Sequence, residues 1–169
     1  ITQETALVSF SHVTFQNAFR YDVKKINEKA GENNAINLWD LSHAIGAVTI
    51  DVKILKMDLA VGCTYKFLNG GPGAPAFLYV SKAWQKKLQN PIAGWFSHKA
   101  PFNFSPSFKA SDTIQNFAVG TLPILSSKAI EPGIDIFEHA GIHNIQNKSN
   151  LLFILFIQLF QFYLKKREF

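Results

Sequence analysis

At 169 residues, with a formal charge of +5 and 16 phenylalanines, the chain is long enough for one domain with a real core or for part of a larger enzyme. Its basic residues are scattered apart from short runs such as Lys86-Lys87 and Lys165-Lys166-Arg167, which argues against nucleic acid as a partner, since such footprints cluster on one face. The single cysteine, Cys63, excludes an internal disulfide and suits a reducing, cytoplasmic compartment, so the Asn147-Lys148-Ser149 sequon reads as incidental.

The first residues carry neither the basic stretch nor the cleavage site of a secretory signal, and Ala6 to Val13 already reads as a core strand. Arg20 to Ala30 reads as a polar-faced helix ending near Gly31. The short strand "NAINLWD" delivers Asp40 at its C-terminal end. His43 to Ile50 is a connecting segment, helical at its start. "DLAVGCTYK" is a buried strand ending on Tyr65 and Lys66, and "PAFLYVSK" is a further strand beyond the glycine-rich "NGGPGAP". Lys82 to Gln89 reads as a short helix and Pro91 to Ser111 as a long irregular loop. Pro123 to Gly141 looks helical, but Pro132-Gly133 should kink or split it, at about 3 kcal/mol if the helix is continuous. Leu151 to Leu164 is apolar except for Gln158 and Gln161. It is too short to span a bilayer comfortably, so a buried helix and no membrane partner are expected.

Strands alternating with helices predict an α/β domain with a mostly parallel sheet. In such sheets ligands sit outside the carboxyl ends of the strands, which places Asp40 and Lys66 on one edge. A plain ion pair and a ligand site are both open readings of these two residues. "NGGPGAP" lacks the spacing and the Lys-Ser/Thr ending of a P-loop and precedes a strand, and no G-x-G-x-x-G is present; its glycines read as turn-makers. A lysine that forms a Schiff base needs burial and neighbours favouring its neutral amine, and the apolar run before Lys66 offers burial. Pyridoxal phosphate also needs an acid beside its ring nitrogen, for which Asp40 is suited. His139 and His143 have the i, i+4 spacing of a metal pair but no evident third ligand, so a solvated helix end is favoured and no metal is expected. Cys63 reads as a buried, inert strand residue.

The blocks "WDLSHAIGAV", "GCTYKFLNGGPGAPAFLYV", "GWFSH" and "GTLPIL", in that order, resemble those of the kynureninases, the bacterial type most closely. The similarity runs from about residue 6 to residue 150. It implies the C-terminal half of the large domain of a fold-type I, aspartate-aminotransferase-like pyridoxal-phosphate enzyme over residues 1–125, with the start of the small domain over 126–169. It also implies hydrolysis of L-kynurenine, or 3-hydroxykynurenine, to anthranilate or its hydroxy form and L-alanine in tryptophan catabolism and NAD biosynthesis. On this resemblance Lys66 is the lysine that holds pyridoxal 5'-phosphate, Asp40 the partner of its ring nitrogen and His43 a cofactor contact. Ser11 matches a hydroxyl residue on the upstream strand. Tyr65, Trp95 and Thr121 match phosphate ligands, the last two supplied across a homodimer interface. Tyr65 is also expected to donate a proton to the departing alanine, and His98 is a lesser candidate for substrate contact.

Three departures from the family pattern are expected to matter. Asn17-Ala18 stands where the family favours a Thr-Gly turn, Pro132 falls inside a helix, and the apolar tail departs from an amphipathic pattern. The portion expected before Ser11 and most of the small domain are absent, so a truncated or frame-shifted gene, or an inactive remnant, is one reading. Another fold-type I enzyme, a class V aminotransferase or cysteine desulfurase, is the enzymatic alternative. Those relatives typically carry histidine where this chain has Tyr65, and they lack the "GWF" block.

Overall fold

The structure, a computed structural model, describes residues 1–164; the Lys165-Lys166-Arg167 cluster lies outside the described residues. Four strands form one sheet in the order β1 (Leu7–Ser11), β2 (Ile36–Asp40), β3 (Leu59–Cys63), β4 (Ala76–Val80). The first three are parallel and β4 runs antiparallel to β3. The connection from β1 to β2 carries helix α1 (Val23–Glu32), as a parallel crossover requires. No helix separates β3 from β4. There the glycine loop folds the chain back, with Gly71 and Gly73 at φ of +77° and +78°, a region that side chains with a Cβ avoid. The predicted turn-makers therefore also set the direction of β4.

Helix α1 begins later than expected because Asp22 caps it, its carboxylate accepting from the Lys25 amide at 3.1 Å. Arg20 instead pairs with Val13 in a short antiparallel bridge. One sheet face packs on α1 and the segment after β2, burying Trp39, Leu41, Met57, Ala60 and Val23. Buried Asn27 of α1 ties these layers together: it accepts from the Trp39 indole at 2.8 Å and donates to the Leu55 carbonyl at 2.7 Å. At the sheet's far end Asn37 and Asp58 exchange hydrogen bonds, and Trp84 of helix α2 (Lys82–Gln85) donates to Asp58 at 2.8 Å.

The long loop after α2 is better ordered than irregular. It contains two 3₁₀ turns, Trp95–Ser97 and Pro101–Asn103, and is clipped by Gln115, whose amide donates to the carbonyls of Phe96 and His98. The predicted helix over 123–141 is split, but upstream of the proline, into α3 (Ile124–Lys128) and α4 (Glu131–Ala140). Pro132 thus falls in the first turn of α4, where its missing amide had no helical partner, and the interior-proline penalty does not arise. The apolar tail forms helix α5 (Ile142–Tyr163), but the expectation that it is buried fails. Leu151 and Phe156 are 67% and 61% exposed, because α5 packs only near its start, against α4 and through Gln146 on the Thr49 amide. Among the described residues no helix is long and apolar enough to cross a membrane.

Candidate active site

Parallel register sets Ser11 directly beside Asp40, and Asp40 beside Val61 of β3. Asp40 therefore leaves the sheet on the edge where the chain runs out of β3 into Tyr65 and Lys66. The Ser11 hydroxyl donates to Asp40 Oδ2 at 3.1 Å, and the Ser42 amide donates to Oδ1 at 2.8 Å. Burial pushes the Asp40 carboxyl up, but hydrogen bonds from Ser42 and Ser11, with the positive side of His43, outweigh it and hold the group below the ordinary carboxylate value. Asp40 is ionised at neutral pH.

Lys66 has a different partner. Its Nζ lies 2.8 Å from His43 Nε2 and 5.6 Å from the centre of the Tyr65 ring. Among the described residues no ion pair joins Asp40 to Lys66, which closes the plain ion-pair reading. The segment expected to be helical at its start is a series of turns. Its first turn is bonded back to Leu41, which places His43 over the lysine.

The lysine loop is braced from two directions. Within it, Asn69 N donates to Lys66 O at 3.0 Å and the Thr64 hydroxyl to Pro75 O at 2.6 Å. From outside, α4 lies on it at Gly133, where a Cβ would come within 2.3 Å of the Leu68 carbonyl oxygen. Sequence reasoning missed this brace and saw Pro132-Gly133 only as a helix breaker. A cleft of about 530 Å³ separates the loop from α4 and α5, lined by Lys66, Phe67, Phe137 and Lys148 among others.

His12 was also missed. It is buried beside Ser11, and its Nε2 accepts from Arg20 Nε at 3.2 Å. Burial, then the Arg20 charge, lowers its pKa to about 4, so it is neutral at physiological pH. The signal was readable: along β1 it points opposite to Ser11, into the core.

The structure brings Ser11, Asp40, His43, Tyr65 and Lys66 together. Trp95 and Thr121 are elsewhere, on the loop unit after α2. Trp95 is 47% exposed and packs edge-on against Phe96 and Phe102. Thr121 is exposed just before α3. His98 is spent within its loop, accepting from the Ala100 amide at 2.9 Å while its other ring nitrogen faces the Ser107 carbonyl at 3.3 Å. His139 and His143 fall on different helices, one against the Asp135 carbonyl and the other near the Thr49 hydroxyl. Among the described residues no cluster of three metal-ligating side chains occurs. Cys63 is half-buried rather than buried.

The model of the aminotransferase class-V family matches residues 1–161. The chain belongs to that family. The match runs well into α5. Among curated relatives, the kynureninase of Burkholderia mallei is 40% identical over 159 residues, covering 94% of this chain and 38% of the relative. The kynureninase of Pseudomonas fluorescens is 38% identical over the same extent. The chain thus spans well under half the length of these relatives. Among solved structures, a cysteine desulfurase from Thermococcus onnurineus superposes with a TM-score of 0.75 at 21% identity, over 92% of this chain and 38% of that one. A cysteine desulfurase from Escherichia coli gives 0.77 at 15% identity, over 99% and 40%. The fold is the α/β, fold-type I architecture of aminotransferase class-V enzymes.

Proposed function

We propose that this chain is the lysine-bearing portion of a kynureninase, which uses pyridoxal 5'-phosphate to hydrolyse L-kynurenine, or its 3-hydroxy form, to an anthranilate and L-alanine. The observation that carries the reading is an ionised Asp40 and Lys66 at the same carboxyl edge of adjacent parallel strands, in a chain 38–40% identical to two bacterial kynureninases. The desulfurase alternative has only fold-level likeness, at 15–21% identity, in its favour.

The residues fit the cofactor. A carboxylate kept charged by Ser11 and Ser42 suits a protonated ring nitrogen, and among the described residues no carboxylate pairs with the Lys66 amine. Bound there, pyridoxal phosphate supplies an electron sink for charge developing at the substrate's α-carbon. Asp40 would pair with the ring nitrogen, His43 and Ser11 would contact the ring, and Tyr65, Trp95 and Thr121 would hold the phosphate. Trp95 and Thr121 act across a homodimer interface, which agrees with their exposure on a separate loop unit. Lys66 would anchor the cofactor, and its amine would take the α-proton from the substrate. Tyr65, half-exposed beside Lys66, returns a proton to the carbon that becomes alanine's methyl group. Residues 1–125 form the cofactor-binding part and 126–169 the start of the small domain, in a cytoplasmic enzyme.

Anthranilate fluorescence is the test. The purified chain with pyridoxal phosphate and kynurenine should release anthranilate, Lys66→Ala should release none, and Tyr65→Phe should slow it by roughly 10²–10⁴, the range for loss of a general acid. Equal rates in wild type and Lys66→Ala would refute the assignment.

A further inference from the structure

We propose that Phe15 is a positioning residue, its ring holding the His43 imidazole so that Nε2 faces the Lys66 amine. The proposal rests on the cofactor reading above and adds to it a residue from the loop that follows β1.

Phe15 sits on a loop that leaves β1 and returns at once. Val13 and Arg20 close it as an antiparallel bridge, and the Thr14 amide donates to Phe19 O at 3.0 Å. The Phe19 amide donates to Thr14 Oγ1 at 3.1 Å and Asn17 Oδ1 at 3.0 Å, and Ala18 N donates to Thr14 O at 3.1 Å. These bonds fix the backbone that carries Phe15. Yet Phe15 is 77% exposed, so it fills no core. Its aromatic neighbour among the described residues is His43, with ring centres 6.3 Å apart and planes inclined by 33°.

His43 needs such a neighbour. Among the described residues its ring makes one hydrogen bond, from Nε2 to Lys66 Nζ at 2.8 Å, and none at Nδ1. A bond at one ring nitrogen restrains the imidazole less than bonds at both, so the aromatic face beside it helps select the orientation. The charged groups acting on His43 are Lys66 at Nε2 and, through space, the Asp40 carboxylate. Neither fixes the ring plane. An imidazole held with Nε2 on Lys66 aims the amine for capture of the cofactor, in which the lysine nitrogen bonds the aldehyde carbon and the aldehyde oxygen leaves as water.

The test follows capture rather than turnover. The chain is mixed with pyridoxal 5'-phosphate and quenched with borohydride at timed intervals, and the labelled Lys66 peptide is quantified by mass spectrometry. Phe15→Ala should slow labelling about tenfold, and Phe15→Tyr should restore it. In a His43→Ala background Phe15→Ala should add nothing, because the two residues act in series. An additive slowing in the double variant overturns the proposal, as does an unchanged rate in a Phe15→Ala chain with a wild-type circular dichroism spectrum. If the wild type captures no cofactor at Lys66, the cofactor reading fails by itself. The carbon-bound ring protons of His43, observed by NMR without cofactor, then decide the positioning role. Displaced in Phe15→Ala and retained in Phe15→Tyr, they support it; unmoved in Phe15→Ala, they overturn it.

Discussion

Ser11 and Asp40 face each other across a parallel strand pair, and their hydrogen bond helps keep the carboxylate charged. Ser11→Ala removes a donor that favours the ionised form, so the Asp40 carboxyl should rise toward its ordinary value; a carbon-13 NMR titration of that carboxyl reads the change. His12 makes an opposite kind of demand, because it is buried neutral. Its folded value of about 4 lies below the ordinary 6.5, so between these pH values the unfolded chain binds a proton that the folded chain does not. Stability from this group is complete above about pH 6.5 and is lost as pH falls toward 4. Urea midpoints should show that decline in the wild type and a flatter profile in His12→Gln, which can still accept from Arg20. Asp40 was legible in the sequence because it ends a strand with a clear apolar pattern; Lys66, expected at the end of the next strand, lies three residues past β3. The Ser11 hydroxyl was placed by resemblance, and its bond to Asp40 became visible only with the strand register. His43 on Lys66 was not legible, because the turns after β2 carry no periodicity that would aim a ring.

Helices and loops brace this edge at points where sequence pattern is silent. Gly133 lets α4 rest on the Leu68 carbonyl, and Gly133→Ala would place a methyl group 2.3 Å from that oxygen. Helix or loop must then shift, and unfolding in urea should show a loss of about 1–3 kcal/mol, typical of overpacking. Ala18 shows the reverse case. It sits at φ +56°, in the left-handed region where a Cβ is strained, at the position where the sequence departs from the family's Thr-Gly turn. Ala18→Gly should stabilise the chain by roughly 0.5–1 kcal/mol, the strain relieved less the extra backbone freedom of glycine when unfolded. All four strands and the helix over α1 were readable from apolar spacing and turn residues. The direction of β4 was not, since a period of two is the same for parallel and antiparallel pairing and only the loop geometry decides. Pro132 announced a helix break correctly but not its place, because a proline is tolerated just inside a helix start.

Over the whole molecule, one sheet face is covered by α1 and the other is half-open. Register places Val61 beside Asp40 and Leu78 beside Val61 on that second face, and Val61 and Leu78 are 37% and 43% exposed. Parallel sheets are ordinarily covered on both faces, and α5 adds a further run of exposed apolar side chains. The chain should therefore bind a hydrophobic dye such as anilinonaphthalene sulfonate while keeping a folded far-ultraviolet spectrum; a folded chain that binds no dye would mean these faces are covered. The burial expected for the tail failed for the same reason, since apolar composition says that a surface seeks cover and not that the cover is within these residues. The central claim, that Lys66 at this sheet edge is the covalent anchor of pyridoxal phosphate beside an ionised Asp40, is tested most directly by borohydride reduction of the cofactor-treated chain followed by peptide mapping. The account predicts a near-ultraviolet-to-visible absorption band before reduction and the adduct on Lys66 afterwards, both lost in Lys66→Ala. An adduct spread over the surface lysines, or a band that persists in Lys66→Ala, would contradict it.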